Sequence, residues 1–451
     1  MRARVSGYRD PMVRQRRNER ATRSALPPIH ESFLPRQHPL HRPRHGGRQR
    51  MARVCAVIFL LLPVVSMAFG ARAVPFENRP LVPFPSFTGW SFFTSLSGWA
   101  TDHLPLRQSG VRAEDWVSRN VFGELPPQGQ SNTGAPLGSL PQANPGPAGT
   151  APGISQYATV LQGSDGWLYL GQDVSYKCQP TLDQQQVIAS LRQLRQDVVA
   201  SGRQFVLIVA PDKSTMVPQH LPADFVGKSC WQAATSSFWS RVDSQAGNLD
   251  VRPALTAAAA QSGQPLYDQI DTHWSFLGGI VMTYALAGKL QPGITGGWVT
   301  IPTATVPWPA DIPPLLGEQA NRQLTKYRLE PDGYTDRTNY VGSTFRTPLN
   351  LTDPPGTTPL PGQITEPVGM IADSFTQFAS PFLAAAFTNL TIVHPETISA
   401  DPAADATALL GDKKVVVLEL AEREVAGGAS PILRPSVIAA IGQALAAHPV
   451  H

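Results

Sequence analysis

Two short segments of this 451-residue chain hold residue types that could combine into a nucleophilic site. The first is Tyr267-Asp268-Gln269-Ile270-Asp271-Thr272-His273-Trp274-Ser275. In an extended segment, residues two apart project from one face, which would set Asp271 beside His273. A carboxylate next to an imidazole fixes its tautomer and stabilises the imidazolium that forms when the ring takes a proton. A surface turn or a pair of metal ligands would use the same spacing, so the pair needs a partner. The second segment, Ile371-Ala372-Asp373-Ser374-Phe375, supplies one. A serine hydroxyl is a weak nucleophile until a base takes its proton, and its own backbone N–H can face a developing oxyanion. Capping of the next helix is the simpler role for the same hydroxyl.

No other histidine offers as much. His30, His38, His41 and His45 belong to a basic N-terminal stretch, and His448 and His451 lie at the C-terminal end. His220 has no near carboxylate on its N-terminal side, His103 has one only at the adjacent position, and Pro395 separates His394 from Glu396.

The elements that must position these segments are legible as periodicities. Leu182–Ser201 places Val187, Ile188, Leu191, Leu194 and Val198 at helical spacing and stops at Gly202. Gln204–Ala210 is a continuous apolar run of the kind found in a strand covered on both faces, and the type recurs at Val368–Ala372 and Lys414–Leu420. Further helices are predicted at about 232–242, 276–290, 377–388 and 433–446, with Ser275 as the N-cap of the second. This alternation predicts an α/β fold: a mainly parallel sheet with helices on both faces. Ser374, just past a buried strand, would then lie at the carboxyl edge of the sheet, where open α/β folds bind ligands. Two Pro-rich stretches, 302–316 and 353–362, read as surface loops or an insertion. The sequence holds no internal repeat, Walker loop, GxGxxG or CxxC spacing, and the expectation is chemistry with neither metal nor cofactor.

With 42% hydrophobic and 16% charged residues, the chain has the apolar material for a sizeable core. Its net charge of +4 suggests nucleic acid until the charges are located. Residues 1–54 hold 14 arginines and 3 acids, so the remainder carries 23 basic and 30 acidic residues and is net acidic; no nucleic-acid partner is expected. Val54–Ala71 is an uncharged, mostly apolar stretch, and Ala71-Arg72-Ala73 offers a small-x-small cleavage site, so 51–73 reads as a signal peptide or membrane anchor. Residues 1–50 are then a basic tail or an upstream extension of a chain that starts at Met51. Everything after about residue 74 is expected to be exported, to the periplasm or cell surface. Cys178 and Cys230 fit that compartment as a candidate disulfide, the alternative being two unrelated buried thiols. Leu125–Gly153 has seven Pro, six Gly and no charge, and reads as a linker between an N-terminal segment, 74–124, and a catalytic domain, 154–446.

Asp271-Thr272-His273-Trp274-Ser275, followed about 100 residues later by Asp373-Ser374-Phe375, resembles the SGNH-hydrolase-like proteins of exopolysaccharide O-acetylation, the AlgX/AlgJ type. Glu77-Asn78-Arg79, Asp102-His103-Leu104-Pro105-Leu106-Arg107 and Phe122-Gly123 are similar to the family's N-terminal landmarks. Asp165-Gly166-Trp167-Leu168-Tyr169, Pro211-Asp212-Lys213 and Glu422-Arg423 are similar to those of its core, and together they cover about 75–425. The resemblance implies a permuted, three-layer SGNH-like fold and a triad of Ser374 as nucleophile, His273 as general base and Asp271 as orienting carboxylate. Ala372 departs from it, standing where the motif usually has Gly. The implied reaction is transfer of an acetyl group through a Ser374 acyl-enzyme to a hydroxyl of a polysaccharide acceptor, as in alginate acetylation. Acetyl-CoA is absent outside the membrane, so the implied donor is a membrane-bound O-acyltransferase partner. An acetyl esterase with the same triad, and a glycan-binding or assembly protein with a degenerate one, are the alternatives.

Lys213 and Arg423 are substrate-binding candidates. Lys213 follows a strand end on the sheet edge of Ser374 and would hold an anionic sugar or sit as a solvated loop lysine. His103 would contact substrate or pack and cap locally. Phe87, Trp90, Phe92 and Phe93 could stack on sugars or cover a core, and the Arg/His run 42–50 carries no functional weight.

Overall fold

A computed structural model describes residues 157–450 apart from 355, together with isolated positions between 37 and 103. The linker 125–153, the landmarks 77–79 and 122–123, the aromatics Phe87, Trp90, Phe92 and Phe93, Cys55 and the run 42–50 lie outside the described residues. In the N-terminal part, positions 51–54, 56–58, 61 and 65–66 are helical. His103 stacks on Trp99 at 4.9 Å and its Nδ1 lies 3.0 Å from the Trp99 carbonyl, a local packing and capping contact.

From residue 157 the chain begins with an antiparallel pair, β1 (Val160–Gln162) and β2 (Leu168–Leu170), then helices α1 (Gln172–Cys178) and α2 (Gln184–Ala200). Asp183 caps α2 in a reciprocal capping box with Gln186, and Gly202, at φ +86°, lets the chain turn into the sheet. There follow β3 (Gln204–Ala210), α3 (Lys213–Met216), α4 (Lys228–Arg241), α5 (Arg252–Ser262) and α6 (Phe276–Leu290). A ribbon of β4 (Val299–Pro309) and β5 (Asn321–Glu330) comes next, then β6 (Leu349–Thr352), β7 (Val368–Ala372), α7 (Ser380–Ala386) and β8 (Asn389–Val393). The chain closes through α8 (Pro395–Ala400), α9 (Pro402–Leu410), β9 (Val415–Ala421), α10 (Glu422–Ala426) and α11 (Pro435–Ala447).

The central sheet runs β3-β9-β7-β8-β6, parallel except for the edge strand β6. Strand periodicity divides its residues between two cores. Val206, Ile208, Met370 and Val417 face α6 and α7, while Leu207, Val209, Ile371, Val416 and Leu418 face α2, α9 and α11, giving three layers. Fully burying each such side chain contributes about 1.5–3 kcal/mol.

The Pro-rich stretch 302–316 is only partly a loop, because Pro302, Pro307 and Pro309 lie in β4. In a two-stranded ribbon both strands are edges, so a proline can occupy a position whose N–H would point away from the partner, and the register shifts between Pro302 and Thr305. The predicted helix 377–388 is a 3₁₀ turn, 374–378, followed by the shorter α7. Among the described residues no single helix is long and apolar enough to cross a membrane.

Candidate active site

Asp271 and His273 precede α6, in a turn closed by a bridge between Tyr267 and Trp274. They meet through that turn and not through strand alternation. Asp271 Oδ1 accepts the His273 backbone N–H at 2.9 Å and lies 3.0 Å from His273 Nδ1. Lys213 braces the turn from beneath, its amine donating to the Asp268 and Gln269 carbonyls. Ser275 occupies the N-cap position of α6 but makes no side-chain cap bond.

Ser374 follows β7, at the carboxyl edge of the sheet. Capping here falls to Asp373, whose Oδ1 accepts the Phe375 N–H while Oδ2 accepts the Ala421 N–H at the end of β9. Buried Glu419 accepts the Thr376 hydroxyl, and the Trp274 indole donates to the Phe375 carbonyl, tying this turn to the histidine segment. The two segments also meet at Gly279 of α6, where a Cβ would stand 2.0 Å from the Phe378 carbonyl oxygen. The result is a separation of 2.8 Å between His273 Nε2 and Ser374 Oγ. Ala372, the departure from the family motif, is fully buried within β7.

The electrostatics assign the imidazole's protons. Burial alone would raise the Asp271 carboxyl, but the Arg322 guanidinium, 3.2 Å away, and the hydrogen bonds from His273 hold it at about 2. An ionised Asp271 favours the proton on Nδ1, which leaves Nε2 to accept from the Ser374 hydroxyl. Phe375 and Phe378 pack against the ring at 5.0 and 5.3 Å.

Two residues of this site give no signal in the sequence. Asp311 Oδ2 stands 3.3 Å from His273 Nδ1, and the Asp311 carboxylate accepts both the N–H and the hydroxyl of Thr272. Burial pushes the Asp311 carboxyl upward, and the Asp271 charge adds to it. Arg322, also stacked at 4.6 Å over Phe378, comes from β5. Asp271, His273 and Asp311 could together hold a metal ion by distance. The Arg322 guanidinium already supplies positive charge there, and a cation would have to compete with it.

Lys213 and Arg423 hold other positions than expected. Lys213 is 1% exposed, not a solvated loop lysine, and its amine lies over the rings of Tyr169 and Trp167, at 5.2 and 5.7 Å, in addition to its two carbonyl bonds. Burial lowers it to about 8, against the upward pull of Asp311 and Asp271. Arg423 pairs with Asp212 at 3.1 Å inside a cluster in which Lys177 bridges Asp212 and Glu422 at 2.8 and 2.7 Å. Removing one member of such a buried group strands its partners, at a cost of about 3–5 kcal/mol. This cluster joins α1, the end of β3 and the end of β9. Cys178, at the end of α1, forms a disulfide with Cys230 in α4, with 5.7 Å between their Cα atoms.

Residues 160–333 match the family described as SGNH hydrolase-like domain, acetyltransferase AlgX, a span that includes Asp271, His273, Asp311 and Arg322 and ends before Ser374. Among solved structures, the O-acetyltransferase domain of Pseudomonas putida AlgJ aligns at 19% identity over 63% of this chain and 98% of its own, with a TM-score of 0.42. Pseudomonas aeruginosa AlgX aligns at 14% over 63% and 68%, TM-score 0.40. Bacillus cereus PatB1 aligns at 13% over 59% and 96%, TM-score 0.39. No curated protein matches the sequence.

Proposed function

We propose that this chain, whose residues 160–333 match the family described as SGNH hydrolase-like domain, acetyltransferase AlgX, is an exported O-acetyltransferase that works through an acyl-enzyme on Ser374 and modifies an exopolysaccharide or cell-envelope glycan. The observation that carries the proposal is the hydrogen-bonded series Asp271–His273–Ser374, with steps of 3.0 and 2.8 Å. Ser374 Oγ attacks the acetyl carbonyl as His273 Nε2 takes its proton, and Asp271 stabilises the imidazolium. Collapse of the tetrahedral intermediate breaks the bond to the donor oxygen, which leaves with the proton from His273. A sugar hydroxyl then gives its proton to His273 and attacks the acetyl-serine, and Ser374 leaves reprotonated. The 18-residue apolar stretch before residue 72 and the disulfide support export. Outside the membrane the acetyl group has to come from a carrier other than acetyl-CoA, and a membrane-bound O-acyltransferase is the proposed donor.

The test is incubation of purified protein with p-nitrophenyl acetate, with and without oligosaccharide acceptors. Transfer predicts acetylated sugar at the expense of free acetate; acetate release that no acceptor changes would leave an esterase. A serine-reactive fluorophosphonate should label the protein but neither Ser374→Ala nor His273→Ala. Absence of labelling in the unaltered chain would leave a non-catalytic glycan-binding protein.

A further inference from the structure

A cleft of about 660 Å³ opens beside α4, well within the range of about 300–1,000 Å³ typical of small-ligand sites. Its lining includes Phe225, Trp231, Gln232, Thr235, Trp239 and Arg252. Trp231, Thr235 and Trp239 recur every four residues on one face of α4. Trp231 Nε1, Thr235 Oγ1 and Trp239 Nε1 are buried and have no hydrogen-bond partner within the protein. Unpaired buried polar groups cost about 1–3 kcal/mol each, so a row of three beside a cleft calls for an occupant that hydrogen-bonds and also packs on aromatic carbon. Both properties belong to a sugar.

Charge narrows the class. Arg252 stacks at 3.7 Å on Trp239, and its guanidinium is held by Asp250 and Asp243. Lys228 Nζ, the other cation of the lining, donates to the Ala223 carbonyl. With Asp243 and Asp250 set against Arg252 and Lys228, the cleft and its ion pairs carry no net positive charge to draw a carboxylate.

Position relates the cleft to the site. Ser214 and Thr215 of α3 also line it, and α3 follows the carboxyl end of β3 as Ser374 follows that of β7. β3 and β7 are separated only by β9, so their ends lie about 10 Å apart on one sheet edge. The disulfide through Cys230, next to Trp231, fixes α4 and hence this wall of the cleft.

We propose that the cleft is an acceptor subsite for a neutral, hydroxyl-rich oligosaccharide, which binds units of the glycan a short distance from the one presented to Ser374. Its role as an acceptor subsite rests on the transferase reading; its sugar binding does not.

The experiment titrates the full chain carrying Ser374→Ala with neutral hexamers of glucose, mannose and N-acetylglucosamine, and with a mannuronate hexamer, by tryptophan fluorescence and calorimetry. Expected are saturable binding of at least one neutral hexamer, at least tenfold weaker binding of the mannuronate, and a further tenfold loss in a Gln232→Leu/Thr235→Val variant that melts at the unaltered temperature. Failure of every neutral hexamer to saturate overturns the proposal, as does preference for the mannuronate or undiminished binding by the double variant; saturation by water alone is the first of these outcomes. Acetyl transfer from p-nitrophenyl acetate to an oligosaccharide by the chain with Ser374 intact separates the two readings. If it is absent while a hexamer binds, transfer falls and the cleft stands; if it is present and no hexamer binds, the reverse holds.

Discussion

Replacing each of the two carboxylates that face His273 Nδ1 should have very unequal effects. Asp271 Oδ1 is 3.0 Å from that nitrogen and Asp311 Oδ2 is 3.3 Å, so distance alone barely separates them. Their ionisation does: Arg322 overcomes burial to hold Asp271 at about 2, whereas burial and the Asp271 charge push Asp311 upward. Asp271→Asn removes the fixed charge and frees the ring to adopt the wrong tautomer, a defect worth about 10⁴ in kcat, or roughly 5 kcal/mol. Asp311→Asn keeps an oxygen for the Thr272 N–H and loses one bond, from the Thr272 hydroxyl, worth about 1–1.5 kcal/mol or roughly tenfold. The singles should also fail to add. Without the Asp271 charge, Asp311 ionises more readily and takes over part of the orienting role, so adding Asp311→Asn to Asp271→Asn should cost more than tenfold. The assay is steady-state release of p-nitrophenol from p-nitrophenyl acetate at neutral pH, with circular dichroism to confirm folding. Equal losses in the two singles, a larger loss in Asp311→Asn, or strict additivity would refute this division of roles.

Burial raises Glu424 to about 7 against the pull of Arg423. A carboxyl whose folded value exceeds its unfolded one loses its contribution as pH rises from about 4.5 through 7, so Glu424→Gln should gain roughly 3 kcal/mol at pH 8 and nothing at pH 4, read as a melting difference that grows with pH. The Cys178–Cys230 bond closes a separation of 52 residues, and Cys230→Ser should cost about 4 kcal/mol, with a melting temperature that no longer responds to reductant. Gly279→Ala places a Cβ against the Phe378 backbone, which cannot move without the turn of Ser374; ester hydrolysis should fall at least a hundredfold while secondary structure is retained, and near-normal hydrolysis would show that the two segments are not coupled there.

Strands buried on both faces were the easiest elements to read, since Gln204–Ala210 and Val415–Ala421 are apolar almost throughout and nothing else that short looks the same. α6 could be bounded at both ends, but α5 escaped because its alanine run carries no apolar stripe, and Leu255 alone is buried in it. Prolines concealed β4, whose tolerance for them depends on having a single neighbour strand. Asp271 and His273 were paired by spacing, although the backbone brings them together by a turn that alternation does not describe. Asp311 and Arg322 stand 40 and 51 positions after Asp271, and their pairing with it is visible only once the ribbon folds back. Lys213 and Arg423 illustrate the limit of motif reading: a charge recognised in a sequence carries no mark of whether its counter-charge will be solvent, substrate or the protein itself.

The β4–β5 ribbon stands outside the central sheet, with Asp311 in the loop between its strands and Arg322 at the start of the second. Ser374 and Asp373, by contrast, are built on β7 and β9. The two side chains that flank the Asp271–His273 pair and the serine it is proposed to activate are therefore carried by separate pieces of architecture. Insertions or exchanges in the ribbon can change the charges set against Asp271 and His273 while the strands that hold the serine keep their own sequence.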